Sequence, residues 1–291
     1  MSRLVPVLSL GCLVGIGWTA YSMLSGGGTG ALPAPPVAAL PTAAAAPAAA
    51  EDQLLQQARH ACTIEALDAA VQKLRDKAAD LPKDRAAWRR LADALLQRVL
   101  QRNLLLGLRV GEPLHAELPA ATAADLDAAD DALAHARALG DDSAEAHMIS
   151  AEVMSQRITG LTAALQWNGK IEEELAKAGE RAEGAARLHL ALGLRKLMAP
   201  AFLGHDPQAA LGHFDFAAKA DQVDERPALF AAMASYLQKK RLDAIAWLER
   251  AVARNPNNTF AKVVLARVQR GEDDPFGRDV TAVEAAAAAP K

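Results

Sequence analysis

From Glu51 to Gly271 the sequence repeats one pattern: an apolar period near 3.6 over segments of roughly 12 to 20 residues, each closed by a turn signal. No run of alternating β-branched residues interrupts it. Thr63 is placed to cap a helix from Ile64 to about Asp80, with Pro82 beyond its end. Thr122 with Asp125 resembles the start of a capping box, and Gly140 stands where that helix should stop. Asp206-Pro207 reads as a cap followed by a first-turn proline. Asn258 precedes the last long helix and Gly271 closes it. The chain is 51% hydrophobic but only 4% aromatic, and alanine supplies much of the apolar share. Sheets draw on β-branched and aromatic residues, whereas alanine is the strongest helix former. The expected fold class is therefore all-α, with helices touching along small side chains.

Charge and cysteine content remove several function classes. A formal net charge of −3 supplies no basic field for non-specific nucleic-acid binding. Two cysteines cannot build a disulfide framework or a four-ligand zinc site.

Residues 4 to 24 carry no charge, and roughly 20 apolar residues suffice to span a bilayer. Arg3 precedes this stretch and no charge follows until Glu51, which places the remainder of the chain outside the cytoplasm. Residues 1–24 thus read as a signal anchor, a single-pass inner-membrane span with a periplasmic C-terminal domain. A cleaved signal peptide is a second reading. A third is a lipoprotein modified at Cys12, although Ser9 departs from the lipobox pattern. Residues 25–50 are rich in alanine, proline and glycine and read as a disordered linker. Residues 51–271 hold the helical domain, and 272–291 read as a weakly ordered tail.

The spacing of small and large residues carries a resemblance. In the segment 242–258, Ala244 and Ala251 take small positions, Leu248 a large one and Pro256 the turn, with Tyr236 on the preceding helix. Ala210, Phe214 and Ala217 repeat the spacing upstream. Ala70, Leu74 and Pro82 lead into Trp88, Leu91 and Ala92. Ala129, Leu133 and Ala136 precede His147 and Ala151. These segments resemble tetratricopeptide repeats, antiparallel helix pairs of 34-residue period. The resemblance implies a helix-pair solenoid over most of residues 60 to 271. The expected helix from Trp88 to about Arg109 is too long for one repeat, and 104–121 form an insertion. The run 185–217, with His189 to Gly193, Pro200 and Leu203 to Pro207, resembles more narrowly the periplasmic tetratricopeptide protein of TRAP-type transporters, often written TatT. His205 stands where that family commonly has a second glycine.

Few residues suggest chemistry. His189, His205 and His213 lack metal-ligand spacing. Gly160, Gly169 and Lys170 do not match a phosphate loop, since Ile171 replaces the hydroxyl. Cys62 beside His60 reads as packing before it reads as a nucleophile. Glu172 to Glu174 read as a solvated acidic face. The aliphatic run Asn103 to Val110 has two readings: a helix buried on several sides, or an apolar element lining a groove or a partner surface. Insertions in repeat proteins often lie on the binding face.

The expected function is that of a non-enzymatic, membrane-tethered scaffold for protein–protein interactions in a bacterial cell envelope, without cofactor or metal. Partners would be proteins of an envelope complex and the membrane through residues 4–24, with self-association open and no nucleic acid. Candidate partner-binding residues are Trp88, Arg89, His147, Tyr236 and Lys262. The alternative is an accessory of a TRAP-type solute transporter acting with a periplasmic binding protein, which implies a closed pocket or pore near 185–217.

Overall fold

In the computed structural model, which describes residues 50–289, the chain folds into twelve α-helices and one short 3-10 turn, with no strand among the described residues. They belong to one compact unit, 47–291. The span at 4–24, Cys12 and all of the linker except Ala50 lie outside the described residues. No described helix is long and apolar enough to cross a membrane.

The helices are α1 (Ala50–Ala61), α2 (Ile64–Asp80), α3 (Arg85–Arg102), α4 (Ala120–Ala138), α5 (Ala144–Gln156), α6 (Leu161–Ala182), α7 (Ala186–Met198), α8 (Pro207–Ala220), α9 (Arg226–Leu237), α10 (Arg241–Arg254), α11 (Thr259–Arg270) and α12 (Ala282–Ala288). Each packs on the next along the chain wherever the connection is short, which makes neighbours antiparallel. The odd-numbered helices α1, α3, α5, α7 and α9 also touch in succession, forming a second row of contacts. Side chains from these helices meet in the interior.

Local sequence explains most boundaries. The Thr63 side chain accepts from the Ala66 amide, Asp206 from Gln208 and Ala209, and Asn258 from Ala261. Gly140 and Gly271 take the positive φ that ends their helices. The small positions are sealed: Ala70, Ala92, Ala129, Ala136, Ala210, Ala217, Ala244 and Ala251 have no exposed surface. Leu248 and Phe214 fill the large slots between them.

Two boundaries and one helix face differ from expectation. Helix α3 ends at Arg102 rather than near Arg109, because Asn103 turns inward and bonds Gln156 and His115. Helix α4 starts at Ala120 after Pro119, so Thr122 sits inside the helix. Asp125 faces Arg98 and Arg102 instead of closing a capping box. The acidic run 172–174 is not one solvated face, since Glu174 is buried against Arg137 and His147.

The tail, read from composition as weakly ordered, makes specific contacts. Arg267 is only 1% exposed and gathers it in. Its guanidinium donates to the carbonyls of Pro275, Arg278 and Asp279 and pairs with Glu284. Thr281 and Glu284 close a reciprocal capping box on α12.

Candidate functional site: an interior cavity

The insertion between α3 and α4 builds the centre of the site. The run 104–110 leaves α3 rather than extending it: Leu104, Leu108 and Val110 pack against the apolar core of α7 to α11, while Leu105 and Arg109 stay exposed. The Gly111 amide donates to the Met198 carbonyl at the end of α7, and Leu108 donates to Phe276 in the tail. Val280 donates back to Leu105, and the Gly107 amide to Asp279. Of the two sequence readings of this run, the second holds: it is not helical, and Leu104, Leu106 and Leu108 line a cavity.

That cavity has a volume of about 610 Å³. Its deep wall is apolar, made by Leu67, Ile171, Leu175, Leu229 and Phe260, all at or below 5% exposure. Its outer end includes the exposed residues Glu112, Pro113, Leu161, Phe202 and Leu203, so it opens to solvent there. Cavities of this size take a small organic molecule.

One part of the wall is ionic. Arg187 on α7 pairs with both Asp93 on α3, at 2.9 and 3.0 Å, and Glu152 on α5, at 2.7 and 3.1 Å. Beside it Arg226 chelates Asp224, which also holds Arg59 of α1 at 3.1 Å. Asn258 donates to Glu225. Arg59, Glu152, Glu225 and Arg226 all reach the cavity surface. Burial raises the Asp93 carboxyl, but the charge and hydrogen bonds of Arg187 outweigh it and hold it at about 2. Asp224 is lowered further by Arg226 and Arg59, again against burial. Arg187 and Arg226 are raised correspondingly, their carboxylate partners overcoming desolvation. Arg226 spends Nε and Nη2 on Asp224, and Nη1 has no protein partner among the described residues.

Cys62 borders the cavity, where burial and the nearby Glu225 push its thiol up to about 11. It is protonated at neutral pH, which argues against a thiolate nucleophile. Gly160 precedes α6, while Gly169 and Lys170 lie within it, so they form no loop around an anion. His189 and His213 bring their Nδ1 atoms to 3.1 Å, whereas His205 turns to the Leu197 carbonyl. No group of three or more metal-ligating side chains occurs among the described residues.

The five residues read as partner-binding do not converge. Trp88 stacks on His135 with centroids 4.5 Å apart and donates to the Pro82 carbonyl. Arg89 bonds Asp141 and Ser143. His147 is buried, with Glu174 at 2.9 Å on one ring nitrogen and Asp142 at 2.8 Å on the other. Tyr236 packs 5.7 Å from Phe276 at a smaller hollow, and Lys262 donates to the Ala288 carbonyl. None lines the large cavity. Most of the residues that do were missed; the exceptions include Leu194, Met198, Pro200, Phe202 and Leu203, within the segment 185–217 where a pocket was expected, and the run 104–110. Its excess of aliphatics over one helical face was the available signal. No protein-family model and no curated protein sequence matches the chain.

Proposed function

We propose that this chain is a non-enzymatic, membrane-tethered module of the helical-repeat type that holds a small apolar solute inside its helix stack, as an accessory to a solute transporter would. The observation that carries the reading is the cavity itself, placed where a peptide-binding scaffold would need an open groove. The insertion occupies that side, and Pro200 to Leu203, within the segment resembling the TatT family, sit at its mouth. Three guanidiniums and four carboxylates share the ionic wall, which disfavours a strongly anionic ligand. The favoured solute has a long aliphatic or ring body and a single polar group, with Arg226 Nη1 as donor.

Titration of the full chain in vesicles with the fluorescent apolar probe N-phenyl-1-naphthylamine tests this, with the signal of protein-free vesicles at equal lipid subtracted. Leu106 is half-buried on the cavity wall. The L106R variant is expected to bind the probe at least about tenfold more weakly, or ~1.4 kcal/mol. Unchanged probe affinity in a folded L106R protein would refute the reading.

A further inference from the structure

On the ionic wall of the cavity one carboxylate has no cation. Asp93 and Glu152 share Arg187, and Asp224 is held by both Arg226 and Arg59. Glu225 contacts only the neutral amide of Asn258, which donates to its Oε1 at 3.1 Å. Its Oε2 has no hydrogen-bond or ion-pair partner among the described residues. Glu225 stands at the N-cap of α9, yet its side chain does not cap that helix. The residue is only 8% exposed. A carboxylate buried this far is costly unless a cation or further donors reach it.

A second acceptor is free on the same wall. Gln97 of α3 is 4% exposed and donates Nε2 to Asp93 at 2.9 Å. The carboxylate fixes which end of the amide faces it and leaves Oε1 without a partner. Among the described residues, the side-chain nitrogen and oxygen atoms sealed from solvent without a partner are Arg157 Nε and Ser235 Oγ. Glu225 Oε2 and Gln97 Oε1 are therefore open, and the open space that both residues line is the cavity. The charges form one patch. Arg226 feels Glu152 and Arg187, Asp93 feels Arg59, and Cys62 feels both Glu225 and Arg59.

We propose that the polar group of the cavity's ligand is a protonated amine with an oxygen acceptor beside it, the amine held by Glu225. The inference rests on the ligand-binding reading and specifies its ligand. An ammonium brings the positive charge that this wall lacks, since it has one more carboxylate than guanidinium. It also supplies donors for Glu225 Oε2 and Gln97 Oε1. The neighbouring oxygen answers Arg226, whose Nη1 stays free while Nε and Nη2 hold Asp224. A carboxylic acid fits worse, because its anion adds to a wall already negative. A plain alcohol can accept from Arg226 but leaves the Glu225 charge uncompensated. The apolar body of the ligand has Leu67, Leu175, Leu229 and Phe260 to pack on.

The test displaces N-phenyl-1-naphthylamine from the full chain in phosphatidylcholine vesicles at neutral pH, with the signal of protein-free vesicles subtracted. Phenylalaninol and 3-phenyl-1-propanol differ only in the amine. Phenylalaninol should displace the probe at a concentration at least about tenfold lower, because it alone pairs with the buried carboxylate. The anion 3-phenylpropanoate should be the weakest of the three. Glu225→Gln keeps an acceptor for Asn258 and removes the charge. In that variant the preference for phenylalaninol over 3-phenyl-1-propanol should shrink at least about fivefold. The preference is a ratio within one protein, so a general loss of binding cancels. Equal displacement by the amine and the alcohol, or strongest displacement by 3-phenylpropanoate, would overturn the amine assignment and leave the cavity reading standing. These ligand comparisons use the parent protein and decide even if Glu225→Gln does not fold. A preference for phenylalaninol that persists undiminished in folded Glu225→Gln would overturn the role of Glu225. Failure of the probe itself to bind the parent protein defeats the cavity reading, and the amine assignment with it.

Discussion

Asp93 shows how a single side chain couples the inner helices to one another. It accepts both Nη atoms of Arg187, an interaction between residues 94 positions apart. Its folded carboxyl, held at about 2, lies below the ordinary carboxylate value of 3.8. A carboxyl depressed by folding contributes stability that is fully present above its unfolded value and is lost as pH falls through its folded one. The window is therefore from about pH 4 down to about pH 2, and the contribution is on the order of 2 kcal/mol. Asp93→Asn should lower stability at neutral pH by about that amount and flatten the acid limb of the curve. Urea unfolding at a series of pH values checks it. Parallel curves for the two proteins would show that the Arg187 pair does not set this limb. Neither residue could be paired from sequence, because nothing local marks a partner 94 positions away. The caps at Thr63, Asp206 and Asn258 were legible because the groups they satisfy lie within three residues.

At the scale of elements, the insertion and the tail stand or fall together. The helix-pair spacing was readable from alanine and leucine positions, since each pair needs small residues where its axes cross. The insertion broke that spacing and so gave its location, but not its path. The path depends on backbone approach to a segment some 170 residues later. Gly107 is the point of closest approach. A Cβ there would lie 2.3 Å from the Gly277 carbonyl oxygen, and backbone cannot yield as a side-chain tip can. The Gly107 amide also donates to Asp279 at 2.8 Å. Gly107→Ala should therefore cost about 1–3 kcal/mol, the range for overpacking a fitted contact. The loss should be local, appearing as faster amide exchange at Leu108 and Val280, which bond across this junction. Exchange that rises equally in α8 and α10 would mean that the insertion is not a separate element of the fold.

A helix-pair array is ordinarily one-dimensional: each pair touches its neighbours, and the ends are free to fray. In this molecule the ends meet. Arg59 on α1 pairs with Asp224 before α9 at 3.1 Å, and Asn257 donates to the His60 carbonyl at 3.0 Å. Asn255 reaches the Cys62 sulfur at 3.3 Å. These contacts bridge up to 197 sequence positions. They turn an open row of helices into one that encloses its interior, and so give the cavity a wall where the solenoid would otherwise be open. Closure also raises cooperativity, because α1 cannot leave without exposing Asp224 and the cavity. Arg59→Ala combined with Asn257→Ala removes two of the three links while Arg226 still neutralises Asp224. The expected cost is about 1–3 kcal/mol for the lost charge-assisted and neutral hydrogen bonds. Amide exchange should accelerate in α1 and at the α10–α11 turn, with α5 and α6 unchanged. A cavity ligand should dissociate faster from the opened protein, since its enclosing wall is no longer fixed. If α1 of the unmutated protein already exchanges faster than α5, the ends are not locked, and enclosure of the cavity must come from the insertion alone.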